Sequence, residues 1–265
     1  MEMILAYALL GAFAGVLAGL LGVGGGLVIV PVLVMLWQAG GLGGSQTVQL
    51  AVGTSLAVIM LTSLSSVRAH HVRGGVVWSV FWRLTPGILL GAVLGAALAT
   101  TMPQAMLKRV FGIFELLVAA QLAFSLRPPT SDSARRLPGS LAMGLAGMVI
   151  GAVSALVGIG GGTMTVPFLD VCRLRMQQAV GTSAACGLPI AVGGTLSYVW
   201  LGWGIEQLPV ASAGFVYGPA LAGIAVTSVL FAPLGAALAH RLPTVVLKKM
   251  FAGFLALLGV WMLIS

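Results

Sequence analysis

GVGGGLVIVP at residues 22–31 and GIGGGTMTVP at residues 158–167 are the two stretches that decide how this chain is read. Each sets four glycines within five residues and closes on a proline, Pro31 or Pro167. In a soluble protein such a run would suggest a phosphate loop. Here the flanks, Leu17 to Leu21 before the first copy and Leu27 to Leu36 after it, are lipid-like, which puts the glycines at membrane depth. Unwound backbone at that depth must be buried in protein or must line a water-filled cavity, because hydrocarbon offers it no hydrogen-bond partner. The two breaks are therefore the first candidates for contact with a solute.

The composition excludes a soluble globular protein: 265 residues, 59% hydrophobic, 7% charged, with a mean hydropathy of +1.12. About 20 apolar residues cross a hydrocarbon core, so the chain is expected to cross it several times, as a multi-pass membrane protein. The start, Met1, Glu2, Met3, has no basic segment ahead of its apolar run, so no cleaved leader is expected. Thirteen Lys and Arg against five Asp and Glu give a net charge of +8. The basic residues cluster in short loops, where topology and anionic lipid headgroups explain them better than nucleic acid does. Cys172 and Cys186 stand alone and read as small apolar residues, implying neither a metal nor a disulfide. Asp132 and Asp170 have no Ser and His partners at one depth, and no GxxxxGK loop occurs, so neither an enzyme nor an ATP-driven pump is expected, and no cofactor is implied.

Eight apolar runs, near 4–37, 47–67, 75–101, 104–126, 139–169, 177–201, 209–239 and 243–264, form two sets of four. Besides the glycine breaks, AVGTS occurs at 51–55 and 179–183, and GAALATTMPQAMLKRVFGIF from Gly95 matches GAALAHRLPTVVLKKMFAGF from Gly235. The ordered offsets of 136, 128 and 140 residues are those of a duplicated unit with altered loops. Residues 1–126 form the first membrane repeat, 127–138 a polar linker and 139–265 the second repeat, within one integral membrane domain.

Charge then chooses the topology. If all eight runs crossed, the cations would divide almost evenly between the two faces, against the positive-inside rule. If the first run of each repeat instead dips in, turns at its glycines and returns, then Arg68, Arg73, Arg127, Arg135, Arg136, Arg173, Arg175, Arg241, Lys248 and Lys249 share a face. Only Lys108 and Arg109 then lie opposite. Each repeat makes three full crossings, so the second is inverted relative to the first. The expected fold is an all-α membrane protein of two inverted repeats of four hydrophobic segments each, the first segment of each broken at a Gly-rich re-entrant turn. Broken helices meeting at the midplane are typical of secondary transporters.

Glycine permits positive φ and close approach, so Gly24, Gly25, Gly26, Gly160, Gly161 and Gly162 can present N–H groups at the start of the returning half-helix. Such a helix start favours anions. Thr163 could cap that helix or donate to the solute. The paired hydroxyls of Thr54 and Ser55, and of Thr182 and Ser183, can donate to an oxyanion or bond back to the preceding turn. Gln49 and Gln178 could add amide donors one turn earlier, and Thr195 and Ser197 further hydroxyls. Arg83 and Glu115, ionisable and within spans, are candidate coupling groups or partners of the anion; Arg83 could instead snorkel, and the two could pair with each other. His70, His71 and His240 sit at loop ends and read as interfacial.

The glycine-proline pair, the AVGTS pair and the closing arms around Pro103–Phe114 and Pro243–Phe254 resemble the TauE/SafE family, also called the 4-toluene sulfonate uptake permease family. The resemblance covers nearly the whole chain. It implies a bacterial inner-membrane carrier of small sulfur-containing anions, such as sulfite or organosulfonates like sulfoacetate; with the broken inverted repeats, the leading reading is a secondary transporter working by alternating access. The partners then expected are that anion and membrane lipid, without nucleic acid, and a homodimer is compatible with the architecture. Two other readings stay open: a carrier or channel for another small solute, and a non-catalytic accessory membrane subunit of a sulfur-metabolism complex.

Overall fold

The computed structural model describes residues 2–21, 25–42, 44–124, 137–239 and 244–265. Gly24, His240, Arg241 and the linker cations Arg127, Arg135 and Arg136 lie outside them. The described residues are almost all helical. In the first repeat α1 spans Glu2–Leu21, α2 Gly26–Ala39, α3 Thr47–Val72, α4 Trp78–Thr101 and α5 Gln104–Phe124, with a 3-10 turn at Gly44–Gln46 before α3. In the second repeat α6 spans Ser140–Val157, α7 Gly162–Val171, α8 Met176–Leu201, α9 Gly218–Ala239 and α10 Thr244–Ile264. The first and fifth apolar runs are thus each two helices, interrupted where the glycines stand.

The expectation of helix from residue 209 onward needs correction. Residues 202–217 form turns and a short antiparallel pair, β1 (Ser212–Ala213) with β2 (Val216–Tyr217). Gly204, Ala211 and Gly214 all have positive φ there, which a continuing helix would not allow. Apolarity alone had extended the run.

The centre is built from α3 and α8, which run antiparallel. A Cβ added to Gly53 would collide with the Phe215 carbonyl and lie 3.1 Å from Tyr198 Cβ, near the end of α8. A Cβ on Gly181, near the start of α8, would collide with the carbonyl of Gly75, just beyond the end of α3. Two ends of the bundle follow. Gly75 lies against the Gln177 carbonyl, so exposed Arg68 and Arg73 share one end with Arg173 and Arg175. At the other end the Thr47 N–H donates to Gln104 Oε1 at 3.2 Å, which places Lys108 and Arg109 there.

The outer helices follow the same order. Glycines 87, 91 and 95 of α4 pack on the carbonyls of Gly144, Met148 and Ala152, so α4 and α6 run parallel, away from the arginine end. Tyr7, Gly11 and Gly15 of α1 pack on Gly223, Ile224 and Ser228 of α9, again in parallel, and Ser228 donates to the Gly11 carbonyl at 2.9 Å. Small residues at these crossings let backbones approach to van der Waals distance, which drives helix association where lipid removes the hydrophobic effect. The α1 and α2 arms double back on each other: Met3 Cε stands 3.8 Å from the Cβ position of Gly40, and Trp37 Nε1 donates to Tyr7 Oη at 2.8 Å. Large apolar side chains point outward along α1, α4 and α6, among them Leu5, Leu9, Leu90, Leu94 and Leu141, as lipid-facing surfaces do.

Candidate functional site

The second break runs from Gly158 to Gly161, between α6 and α7. Gly158 adopts φ +77 and ends α6, its N–H and that of Ile159 both donating to the Ser154 carbonyl at 2.8 and 2.9 Å. Three residues on, Gly161 adopts φ +75 as the N-cap of α7. Its carbonyl accepts from Met164 and Thr165 at 3.1 and 2.8 Å, which leaves Gly162 and Thr163 as the leading amides of the helix. A left-handed residue before a helical turn groups successive N–H dipoles in the concave arrangement that suits an anion. Thr163 does not cap α7: the helix starts on Gly161 with no side-chain cap bond, and the Thr163 hydroxyl has no partner. Glycine takes the cap because the chain must enter with positive φ, where threonine would be strained.

The two breaks touch. A Cβ on Gly26 would collide with the Gly158 carbonyl and come within 3.0 Å of Ile159 Cα. Ser55 donates to that same Gly158 carbonyl at 2.9 Å. From the other side α8 covers the second break: a Cβ on Gly187 would lie 2.8 Å from the Gly160 carbonyl, and the Ile190 side chain abuts Gly161. Ser183 is one turn before Gly187 on the same α8 face, 2% exposed and without a hydrogen-bond partner.

The threonines of the repeated AVGTS serve the frame. Thr54 donates to the Leu50 carbonyl at 2.7 Å and accepts from the Tyr217 N–H at 3.0 Å. Thr182 accepts from the Val77 N–H at 2.9 Å. The two acceptances correspond under exchange of the repeats: each threonine holds the loop that leads into the first full helix after the other's crossing. Gln49 donates to the Met102 carbonyl at 3.0 Å, and Gln178 lies in the first turn of α8. Ser197 donates to the Gly193 carbonyl at 2.7 Å, whereas the Thr195 hydroxyl is buried without a partner.

Arg83 and Glu115 are apart in character. Arg83 is exposed on the outer side of α4 beside Trp82, the position of a side chain that reaches along lipid toward water. Glu115 is 0% exposed in the α5–α10 contact, its Cβ 3.3 Å from the Cβ position of Gly259, and neither carboxyl oxygen has a partner. The two do not form an ion pair.

Two residues belong with the site that sequence reasoning missed. Ser154 and Thr165 are both 0% exposed and their hydroxyls have no partner. Thr165 Oγ1 lies 3.4 Å and Ser154 Oγ 3.6 Å from the Cβ position of Gly161, so both face the start of α7. A buried hydroxyl without a partner forgoes roughly 1–3 kcal/mol, a cost a ligand can repay. The signal lay in comparing the repeats: at the offset of 136, Ser154, Thr163 and Thr165 correspond to Ala18, Leu27 and Ile29. The second break is hydroxylated and the first is apolar.

Comparison with known proteins shows the family. The sequence profile of the family described as "Sulfite exporter TauE/SafE" matches residues 7–262. The chain is 36% identical over 257 residues to a "Probable membrane transporter protein" of Haemophilus influenzae, covering 97% of each chain. It is 27% identical to one of Methanocaldococcus jannaschii, covering 97% of this chain and 94% of that one. A third, from Bacillus subtilis, is 28% identical over 80% of this chain and 86% of its own. No solved structure matches. These relatives are named as membrane transporters and not as enzymes, and four described helices are long and apolar enough to cross a membrane. The chain is a multi-pass membrane protein that belongs to the sulfite exporter TauE/SafE family.

Proposed function

We propose that the protein is a secondary transporter of small sulfur-containing oxyanions, sulfite or organosulfonates such as sulfoacetate, and that the anion binds at the second glycine break. The observation that carries the reading is the pair of buried, unpartnered hydroxyls, Ser154 and Thr165, facing the start of α7. With the amides of Gly160, Gly161 and Gly162 and the hydroxyls of Thr163 and Ser183, they offer a tetrahedral oxyanion several donors and no full counter-charge. The first repeat contributes differently: Gly26 allows its break to abut the second, Gly25 fits against Ala14 and Ile29 of its own repeat, and Ser55 fixes the Gly158 carbonyl. Gly24 belongs to the same turn by sequence.

Re-entrant hairpins from opposite membrane faces complete the proposal, with the repeats inverted. The doubled-back α1 and α2 arms, the parallel α4–α6 and α1–α9 pairs and the matched bonds of Thr54 and Thr182 support it. Exchange between two packings of α3 on α8, with each break moving with its own repeat, would open the site to either face in turn.

Flux into proteoliposomes tests the function. Labelled sulfite or sulfoacetate should cross with the purified protein and not without it. Protein that carries neither, and that shows no thermal shift with taurine, isethionate or sulfolactate, would remove sulfur oxyanions as its substrate class.

A further inference from the structure

A second polar site lies away from the breaks, at the end of the bundle that holds Lys108 and Arg109. A cavity of about 800 Å³ opens there among the end of α2, the 3-10 turn and start of α3, the start of α5 and the end of α10. Its lining includes Gln46, Gln49, Gln104, Lys108, Arg109 and Ser265, and no acidic residue. Lys108 is 6% exposed, held at 3.4 Å from Ser265 Oγ and with its ammonium 5.9 Å from the centre of the Trp261 ring. Among the described residues no acidic side chain pairs with it. A buried ammonium without such a partner is costly, and an anion in the cavity would relieve that cost.

The amides narrow the anion. Gln49 donates its Nε2 hydrogen to the Met102 carbonyl, which directs Oε1 away from that bond, and the Oε1 atoms of Gln46 and Gln49 are both buried without a donor. The lining therefore includes two cationic residues and two amides whose oxygens want a hydrogen. We propose that it binds an oxyanion that also carries an O–H or N–H group, with charged oxygens on Lys108 and Arg109 and the donor on Gln46 and Gln49. A protonated phosphate in solution and a phosphoethanolamine lipid headgroup both have this chemistry. The volume accommodates either, since small-molecule sites are commonly several hundred Å³. The site is separate from the central breaks, and its test does not depend on what the protein transports.

Titration calorimetry on the full chain in phosphatidylcholine nanodiscs, whose headgroups carry no donor, provides the test. Inorganic phosphate retains a hydroxyl near neutral pH and sulfate does not, so phosphate should bind and sulfate bind about tenfold more weakly. Lys108→Met and Arg109→Gln should each weaken phosphate by about tenfold. Arg109 is exposed, so its variant reports on the site even where loss of Lys108 impairs folding. Phosphate binding should persist in a Ser154→Ala, Thr165→Val double variant. Where a headgroup is the natural occupant, phosphatidylethanolamine should weaken apparent phosphate binding and raise the melting temperature, in the wild type and not in Arg109→Gln. The proposal is overturned by absence of both phosphate binding and the lipid effect, by sulfate binding as tightly as phosphate, by insensitivity to Lys108 and Arg109, or by loss of binding in the double variant.

Discussion

Hydroxyls at this centre divide into those already bonded and those waiting, and substitution separates them by sign. Thr54 and Thr182 each accept a loop N–H from the opposite repeat. Thr54→Val or Thr182→Val leaves that N–H unpaired and should destabilise the protein by about 1–3 kcal/mol, seen as a lower melting temperature. Thr165→Val removes a hydroxyl that has no partner and keeps the shape. It should leave stability unchanged or raise it by about 1 kcal/mol, while abolishing the substrate-induced thermal shift. Glycines divide similarly. Gly26→Ala sets a methyl against the Gly158 carbonyl, a backbone atom that cannot yield, and should cost most of the folded protein. Gly160→Ala meets only Ile59 Cγ2, at 3.2 Å, and should fold yet transport poorly. Equal yields of the two variants on size-exclusion chromatography would contradict this contrast.

Among the elements, the glycine breaks and the eight apolar runs were legible because four glycines cannot sit in a lipid-embedded helix without interrupting it. The grouping of Arg68, Arg73, Arg173 and Arg175 at one end was legible from charge alone. The turn region of residues 202–217 was not, since its Leu208, Val210 and Phe215 look like part of a span, and only the positive φ of Ala211 and Gly214 shows why no helix forms. Nor was the role of AVGTS: a threonine in a span usually bonds to its own helix, and nothing in the local pattern says that Tyr217 and Val77 will approach it. Ser154 was missed because a lone serine among small residues reads as packing. The arrangement of elements makes its own prediction. Single cysteines at Glu2 and at Gly40 should react with a membrane-impermeant thiol reagent from the same side of the membrane. Reaction from opposite sides would refute the doubled-back arms.

For the whole molecule, near-symmetry of the frame carries an asymmetric centre. Under the proposed function the duplicated contacts would let the two repeats move as matched bodies, while Ser154, Thr163 and Thr165 in place of Ala18, Leu27 and Ile29 would give the binding chemistry to one of them. One transported anion per chain, held at the centre by the second repeat, is the stoichiometry the proposed function expects there. Hydroxyl and amide donors at a helix start suit a small oxyanion. The most direct measurement is uptake of labelled sulfite and sulfoacetate into proteoliposomes by the wild type and by the Ser154→Ala, Thr165→Val double variant, with folding checked by melting temperature. The account predicts flux by the wild type and, in an equally stable variant, a loss of at least about tenfold, the equivalent of one charge-assisted hydrogen bond. Full flux by the double variant would contradict it.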